Sequence, residues 1–155
     1  MKGKRYNKET VFLLTAGSVC LAFMAFTTMV FPALNWKVDF QELEISGIFA
    51  VFGGSVNDQY EFKFNILSLI GYLLAFVAVV LSLKAFDKKE NTLHYVSMII
   101  CFLSSIIIFL EPVIVGFVNN ISNLSLGIGP ILGGIFMLIA LVLNLGCVQE
   151  KNKAK

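Results

Sequence analysis

From Val11 to Leu34 the chain runs for 24 residues without a single charged side chain. About 20 apolar residues cross the hydrocarbon core of a bilayer as a helix, the form in which a single segment pairs its own backbone groups where no water can. Three further runs follow, from Ile66 to Leu83, from Tyr95 to Leu110, and from about Leu126 to Val148. We therefore expect four membrane-spanning helices over about residues 11–34, 65–85, 94–113 and 126–148, in one all-α membrane domain covering 1–155. A signal peptide is the competing reading of the first run, but its apolar region would be only about 7–15 residues long. LTAGSVC, ending at Cys20, has Val19 where a lipoprotein cleavage box needs a small residue. An uncleaved first helix is the expectation.

The composition points the same way. Charged residues are 14% of the chain and hydrophobic residues 57%, against about 25% charged in an ordinary soluble domain. A soluble core of this size cannot bury so much apolar surface. Richness in Phe, Ile, Asn and Lys suggests an AT-rich, bacterial genome.

Orientation follows from the placement of Lys and Arg rather than from the net charge of +2. Lys2, Lys4, Arg5 and Lys8 precede the first run; Lys84, Lys88 and Lys89 lie between the second and third; Lys151, Lys153 and Lys155 end the chain. With four helices these three segments share one side, which the positive-inside rule makes the cytoplasm. The other side has Lys37 and Lys63 beside five acids, Asp39, Glu42, Glu44, Asp58 and Glu61. The expected location is thus the plasma (cytoplasmic) membrane, multi-pass, with both termini inside. The basic clusters flank apolar runs, as a lipid surface requires, and give no support for nucleic-acid binding.

Residues 35–64 form an outer loop that cannot span, with seven charged side chains. Trp36, Val38 and Phe40 alternate with Lys37 and Asp39; Leu43 and Ile45 with Glu42 and Glu44; Tyr60, Phe62 and Phe64 with Glu61 and Lys63. Period two marks half-buried strands, and Gly53-Gly54 and Asn57-Asp58 are turn signals. This predicts a small antiparallel sheet of two or three strands, with Trp36, Phe40, Tyr60 and Phe62 as the interaction face; the alternative is an unstructured loop. The uncharged stretch 45–56 would cover only about 18 Å as a helix, too short to cross. Residues 118–125, VNNISNLS, read as a polar loop.

Small residues recur at helix-packing intervals. Gly71, Ala75, Ala78 and Ser82 share one face of the second helix, and Gly129, Gly133 and Ala140 one face of the fourth. Such residues let helices approach closely in lipid, either within one chain or between two copies. Shifted by 62 positions, Gly71, Ala78 and Lys89 fall on Gly133, Ala140 and Lys151, which suggests two repeated hairpins.

Candidates for chemistry are few. Glu111 is the one acid within an apolar segment, where acids serve as proton relays or cation ligands. Lying roughly 24 Å up its helix, it is expected to snorkel into water at the outer interface. Asn144 can hydrogen-bond across helices, for about 0.6–2 kcal/mol. His94 is the only histidine and reads as interfacial; the three cysteines Cys20, Cys101 and Cys147 read as small buried hydrophobes. Asn120-Ile-Ser and Asn123-Leu-Ser match the glycosylation pattern, which carries no meaning in a bacterium. No nucleophile elbow, phosphate loop or HExxH occurs, so no catalytic, metal or cofactor site is expected.

VFPAL at the end of the first run, SGIFAVFGG in the loop and FNILSLIGYLLA opening the second run resemble small bacterial four-helix membrane proteins of unknown function, over roughly residues 10–85. The layout is also similar to the claudin-type tetraspan, with inner termini and a strand-bearing first outer loop. The Trp-Gly-Leu-Trp and paired-cysteine motif of claudins is missing, since Trp36 stands alone, so their function does not carry over. Small multidrug transporters also have four helices, but their first-helix Glu has no counterpart in residues 11–34. The leading expectation is a non-enzymatic accessory, assembly or immunity-type subunit in the lipid bilayer, acting on a membrane-protein partner through its outer loop and helix faces. The alternative is a small oligomeric channel or transporter with Glu111 near the pore mouth.

Overall fold

The computed structural model describes residues 7–38, 41–56, 60–87 and 91–153. Among them are four helices long and apolar enough to cross a membrane: α1 (Lys8–Thr27), α3 (Ile66–Asp87), α4 (Thr92–Phe109) and α6 (Ile128–Asn152). Each packs on two neighbours, in the cyclic order α1, α3, α4, α6. That order puts α3 diagonally across from α6, as two repeated hairpins would. Helix α1 starts at Asn7, whose side chain accepts from the backbone N–H groups of Glu9 at 3.0 Å and Thr10 at 3.3 Å. This is the N-cap geometry that satisfies otherwise orphaned donors.

Two prolines end membrane-length helices at the same end of the bundle. The apolar run that begins at Val11 leaves the helix at Thr27, not at Leu34. The hydroxyls of Thr27 and Thr28 bond back to Met24 O and Ala25 O at 2.8 and 2.7 Å, a 3-10 turn covers Thr28–Val30, and Pro32 opens strand β1 (Pro32–Val38). Proline cannot continue a helix, and it pushes the preceding residue into extended backbone. The third run likewise divides at Leu110 into α4 and α5 (Glu111–Asn119), with Pro112 in the first turn of α5. Asn120 closes α5 with φ 54°, a left-handed conformation that Asn tolerates.

Strands cap this end. Strand β1 pairs antiparallel with β2 (Gln41–Ser46) on one edge and with β5 (Leu124–Leu126) on the other. Strands β3 (Gly54–Val56) and β4 (Tyr60–Phe62) form a separate pair, and α2 (Gly47–Phe52) lies between β2 and β3. The small antiparallel sheet is therefore present, but its third strand comes from the segment read as a polar loop, and the Tyr60 segment pairs elsewhere. Three residues were too little alternation to announce β5.

Registry sorts the side chains. Leu34 faces Ile45 and Leu126, and Trp36 faces Leu43 and Leu124, while Asn35 and Lys37 lie opposite Glu44 and Glu42. The apolar face packs with Ala50, Phe62 and Val115 in one buried cluster. Trp36 meets Tyr60 edge-on at 4.7 Å and Phe62 at 5.8 Å. Phe40 and the Asn57-Asp58 turn lie outside the described residues. The sheet is tied to α6 at Gly127, whose N–H donates to Ala33 O at 2.7 Å. A Cβ at Gly127 would run into the backbone of Pro32 and Ala33, so only glycine fits.

Midway along the bundle the interior is filled by Ala22, Ala25, Ala75, Ala78, Cys101, Met137 and Ala140, all fully buried. Large apolar residues such as Phe23, Phe76, Phe102 and Val142 point outward and are exposed. The long helices thus carry apolar side chains outside and many of their serines inside, the reverse of a water-soluble bundle.

Candidate functional site

At the end of the bundle where α1 begins and α6 ends, every long helix contributes to one buried polar network. Asn144 on α6 is its centre. Its amide nitrogen donates to Ser18 Oγ on α1 at 2.6 Å, to Ser82 Oγ on α3 at 3.3 Å, and to Ala140 O at 3.0 Å. Its amide oxygen lies 3.0 Å from His94 Nδ1 on α4 and accepts from Ser82 at 3.3 Å. Ser82 in turn lies 2.9 Å from Ser97 on α4. Lys151, on the last turn of α6, places Nζ 2.8 Å from Ala85 O and 3.1 Å from His94 Nε2.

These contacts assign the imidazole. An amide oxygen only accepts, so Nδ1 carries the proton, and Nε2 is left as the acceptor for the Lys151 amine. Small residues make the network possible: Ser18, Ser82 and Ser97 let four helices converge while supplying hydroxyls. His94 and Asn144 are completely buried and Lys151 is 4% exposed. His94 is therefore no interfacial residue, and Lys151, read as part of a basic tail, sits inside the bundle. Lys89, paired with Lys151 in the repeat, lies outside the described residues. Cys101 and Cys147 are buried, with Cys147 Sγ 3.5 Å from Thr15 Oγ1, but Cys20 is exposed.

The second buried polar group lies beneath the sheet. Glu111 opens α5, past the end of the membrane-length segment Thr92–Phe109. It does not snorkel to water: it is 1% exposed, and its Oε2 accepts from the Tyr72 hydroxyl at 2.8 Å. Burial raises its carboxyl from the ordinary 4.5 to about 7, against the opposing pull of the Tyr72 bond, which favours the charged form. The proline break explains the burial, since it turns Glu111 back over the bundle instead of letting α4 run on.

The packing glycines occupy close approaches. A Cβ at Gly71 would lie 2.7 Å from Ile107 Cγ2, and one at Gly133 would lie 2.6 Å from Thr28 Oγ1. Ala75, Ala78 and Ala140 are buried, and a Cβ at Gly129 would lie 2.9 Å from Thr28 O. Ser82, read as a packing residue, is a hydrogen-bonding one as well. Sequence reasoning missed Ser18, Ser97, His94, Lys151 and Tyr72. The available signal was the match of Ser82 with Asn144 at the 62-residue shift.

Among the described residues no three of His, Cys, Asp and Glu come together as metal ligands. The networks can hold protons and fix helix register. No protein-family model matches the chain, and neither a curated protein nor a solved structure matches it.

Proposed function

We propose that this chain spans the cytoplasmic membrane four times with both termini inside. There it serves as a non-enzymatic accessory, assembly or immunity-type subunit that engages a membrane-protein partner through the sheet. The observation that carries this reading is the two-sided character of the cap. One sheet face is spent on Leu34, Trp36, Leu43 and Ile45 packing; the other presents Lys37, Glu42, Glu44 and Ser125 to solvent. A face held rigid by its own core binds without the entropy loss of ordering a loop. In the sequence, ten of the twelve Lys and Arg residues lie before the first apolar run, between the second and third, or after the fourth, which supports the orientation.

The test is a gentle-detergent pull-down of the tagged protein, with mass determination of what accompanies it, for wild type and for Glu42→Lys/Glu44→Lys. A stoichiometric partner lost in the variant, with Trp36 emission unchanged, supports the proposal. A partner retained by the variant, or homo-oligomers alone, refutes it. Orientation is tested in a Cys20→Ala background by single cysteines at Lys37 and Lys153 and an impermeant maleimide, which should label intact cells only at position 37.

Burial of Glu111 favours a second reading, the small oligomeric channel or transporter. It requires that Glu111→Gln change flux, or its pH dependence, in liposomes.

A further inference from the structure

Glu111 has one carboxylate oxygen that the fold leaves without a partner. Oε2 is held by Tyr72, but Oε1 is buried and unbonded. Two more buried polar atoms, on residues where α3 begins, share that condition, Ser68 Oγ and Asn65 Nδ2. Asn65, Ser68 and Tyr72 are 1%, 2% and 1% exposed. Ser68 and Tyr72, four apart, share one face of α3, and Asn65 precedes the helix and accepts from the N–H groups of Leu67 and Ser68. Helical side chains lean toward their helix's N-terminus, so the Tyr72 phenol reaches back over the turn that carries Ser68. Glu111 meets α3 through that phenol.

An ionised carboxylate in this setting lacks a countercharge. Among the described residues, the ionisable group that acts on Glu111 is Tyr72. On the other elements packed against α5, Lys37 of β1 is exposed on the far sheet face, β5 has no ionisable residue, and β4 with the residue after it carries Tyr60 and the exposed Glu61 and Lys63, the last donating its backbone N–H to Asn119 of α5. Those of α4 are His94 and Tyr95, in its first turn, and Cys101 midway along it. On α3, Lys84 and Asp87 lie in its last turn, at the far end from Glu111. An unpaired charge is strongly disfavoured in such a place, and a group normally avoids it by neutralising. A proton on Oε1 removes the charge from a buried oxygen that no group in the fold bonds.

We propose that Glu111, held by Tyr72, forms a buried proton-binding site that latches α5 and the sheet onto the bundle. The carboxylate takes its proton from water on closing and returns it to water on opening. The protonated form keeps α5 against α3; the ionised form draws the carboxylate toward solvent and loosens that contact. The sign follows from the raised value. The folded protein holds the proton where the unfolded chain does not, so the stabilisation is complete below about 4.5 and is lost as pH rises through about 7. The site stands independently of the partner surface proposed above and requires no flux.

Trp36 reports on the latch, being the sole tryptophan and packed in one cluster with Val115, one turn along from Glu111. The full-length protein in detergent would be titrated from about pH 5 to about pH 9, following Trp36 emission and the protonated-carboxyl band in pH-difference infrared spectra. Wild type should show one single-proton transition near the site's value of about 7 in both signals. Glu111→Gln should abolish both and hold the emission at its low-pH value. Tyr72→Phe, which removes the bond favouring the ionised form, should move the midpoint up by about one unit. The proposal is overturned if the emission transition survives in Glu111→Gln, or if wild type loses no carboxyl band between about pH 5 and about pH 9. A midpoint that follows sodium at constant pH and ionic strength would also overturn it. The infrared measurement on wild type alone keeps the test decisive should a variant fail to fold.

Discussion

Replacing Asn144 by Leu keeps the branched shape of the side chain where the four long helices meet, with two bulkier methyl groups in place of the amide O and NH2, and deletes every hydrogen bond that the side chain makes. Those bonds reach Ser18, Ser82 and His94 on three other helices. Cross-helix hydrogen bonds in membrane proteins average about 0.6 kcal/mol. The larger loss lies in what is stranded: the His94 Nδ1 donor is fully buried, and an unpaired buried donor costs about 1–3 kcal/mol. Together these give a destabilisation of about 3 kcal/mol, roughly a hundredfold in the folded-to-unfolded ratio. Reversible unfolding in mixed detergent and SDS, followed by far-ultraviolet circular dichroism, measures it. The double variant Asn144→Leu/His94→Leu removes the stranded donor, so its cost should fall short of the sum of the single variants by about 1 kcal/mol or more. An Asn144→Leu protein as stable as wild type, or strictly additive effects, would show that these residues do not act as one network.

Three further outcomes follow from the packing. Gly127→Ala sets a methyl against the Pro32 and Ala33 backbone, which cannot yield, and should lose protection of β1 and β5 in hydrogen exchange while the helices stay protected. Gly134→Ala directs its methyl onto the Phe109 ring; it should cost about 1–3 kcal/mol, and Phe109→Ala in the same chain should recover part of that in the unfolding assay. Trp36→Ala empties the centre of the cap and should cost about 3–5 kcal/mol, seen as lost amide protection in β1, β2 and β5 with helix content unchanged.

Local pattern made some of this architecture legible and concealed the rest. Long uncharged runs produced the helices, since backbone self-satisfaction depends only on neighbours in sequence. Alternation around Trp36 and Leu43 announced β1 and β2. The same reading carried the first helix too far, to Leu34, because hydropathy does not distinguish a buried strand from a helix. Pro32 and Pro112 were the better guide to both breaks. Glu111 stood out as the one acid in its segment, yet its burial depends on a phenol 39 residues away.

What the amino-acid sequence by itself determined is the set of four apolar helices, the proline-marked breaks at one end, and the two-faced hairpin that follows the first. Each of these rests on interactions within a few residues. Only the tertiary structure decided that Leu124–Leu126 completes the sheet, that His94 and Lys151 lie inside the bundle, and that Ser18 meets Asn144 from 126 residues away. A buried polar side chain must find its partner wherever the packing of helices puts one, and no local periodicity records where that is.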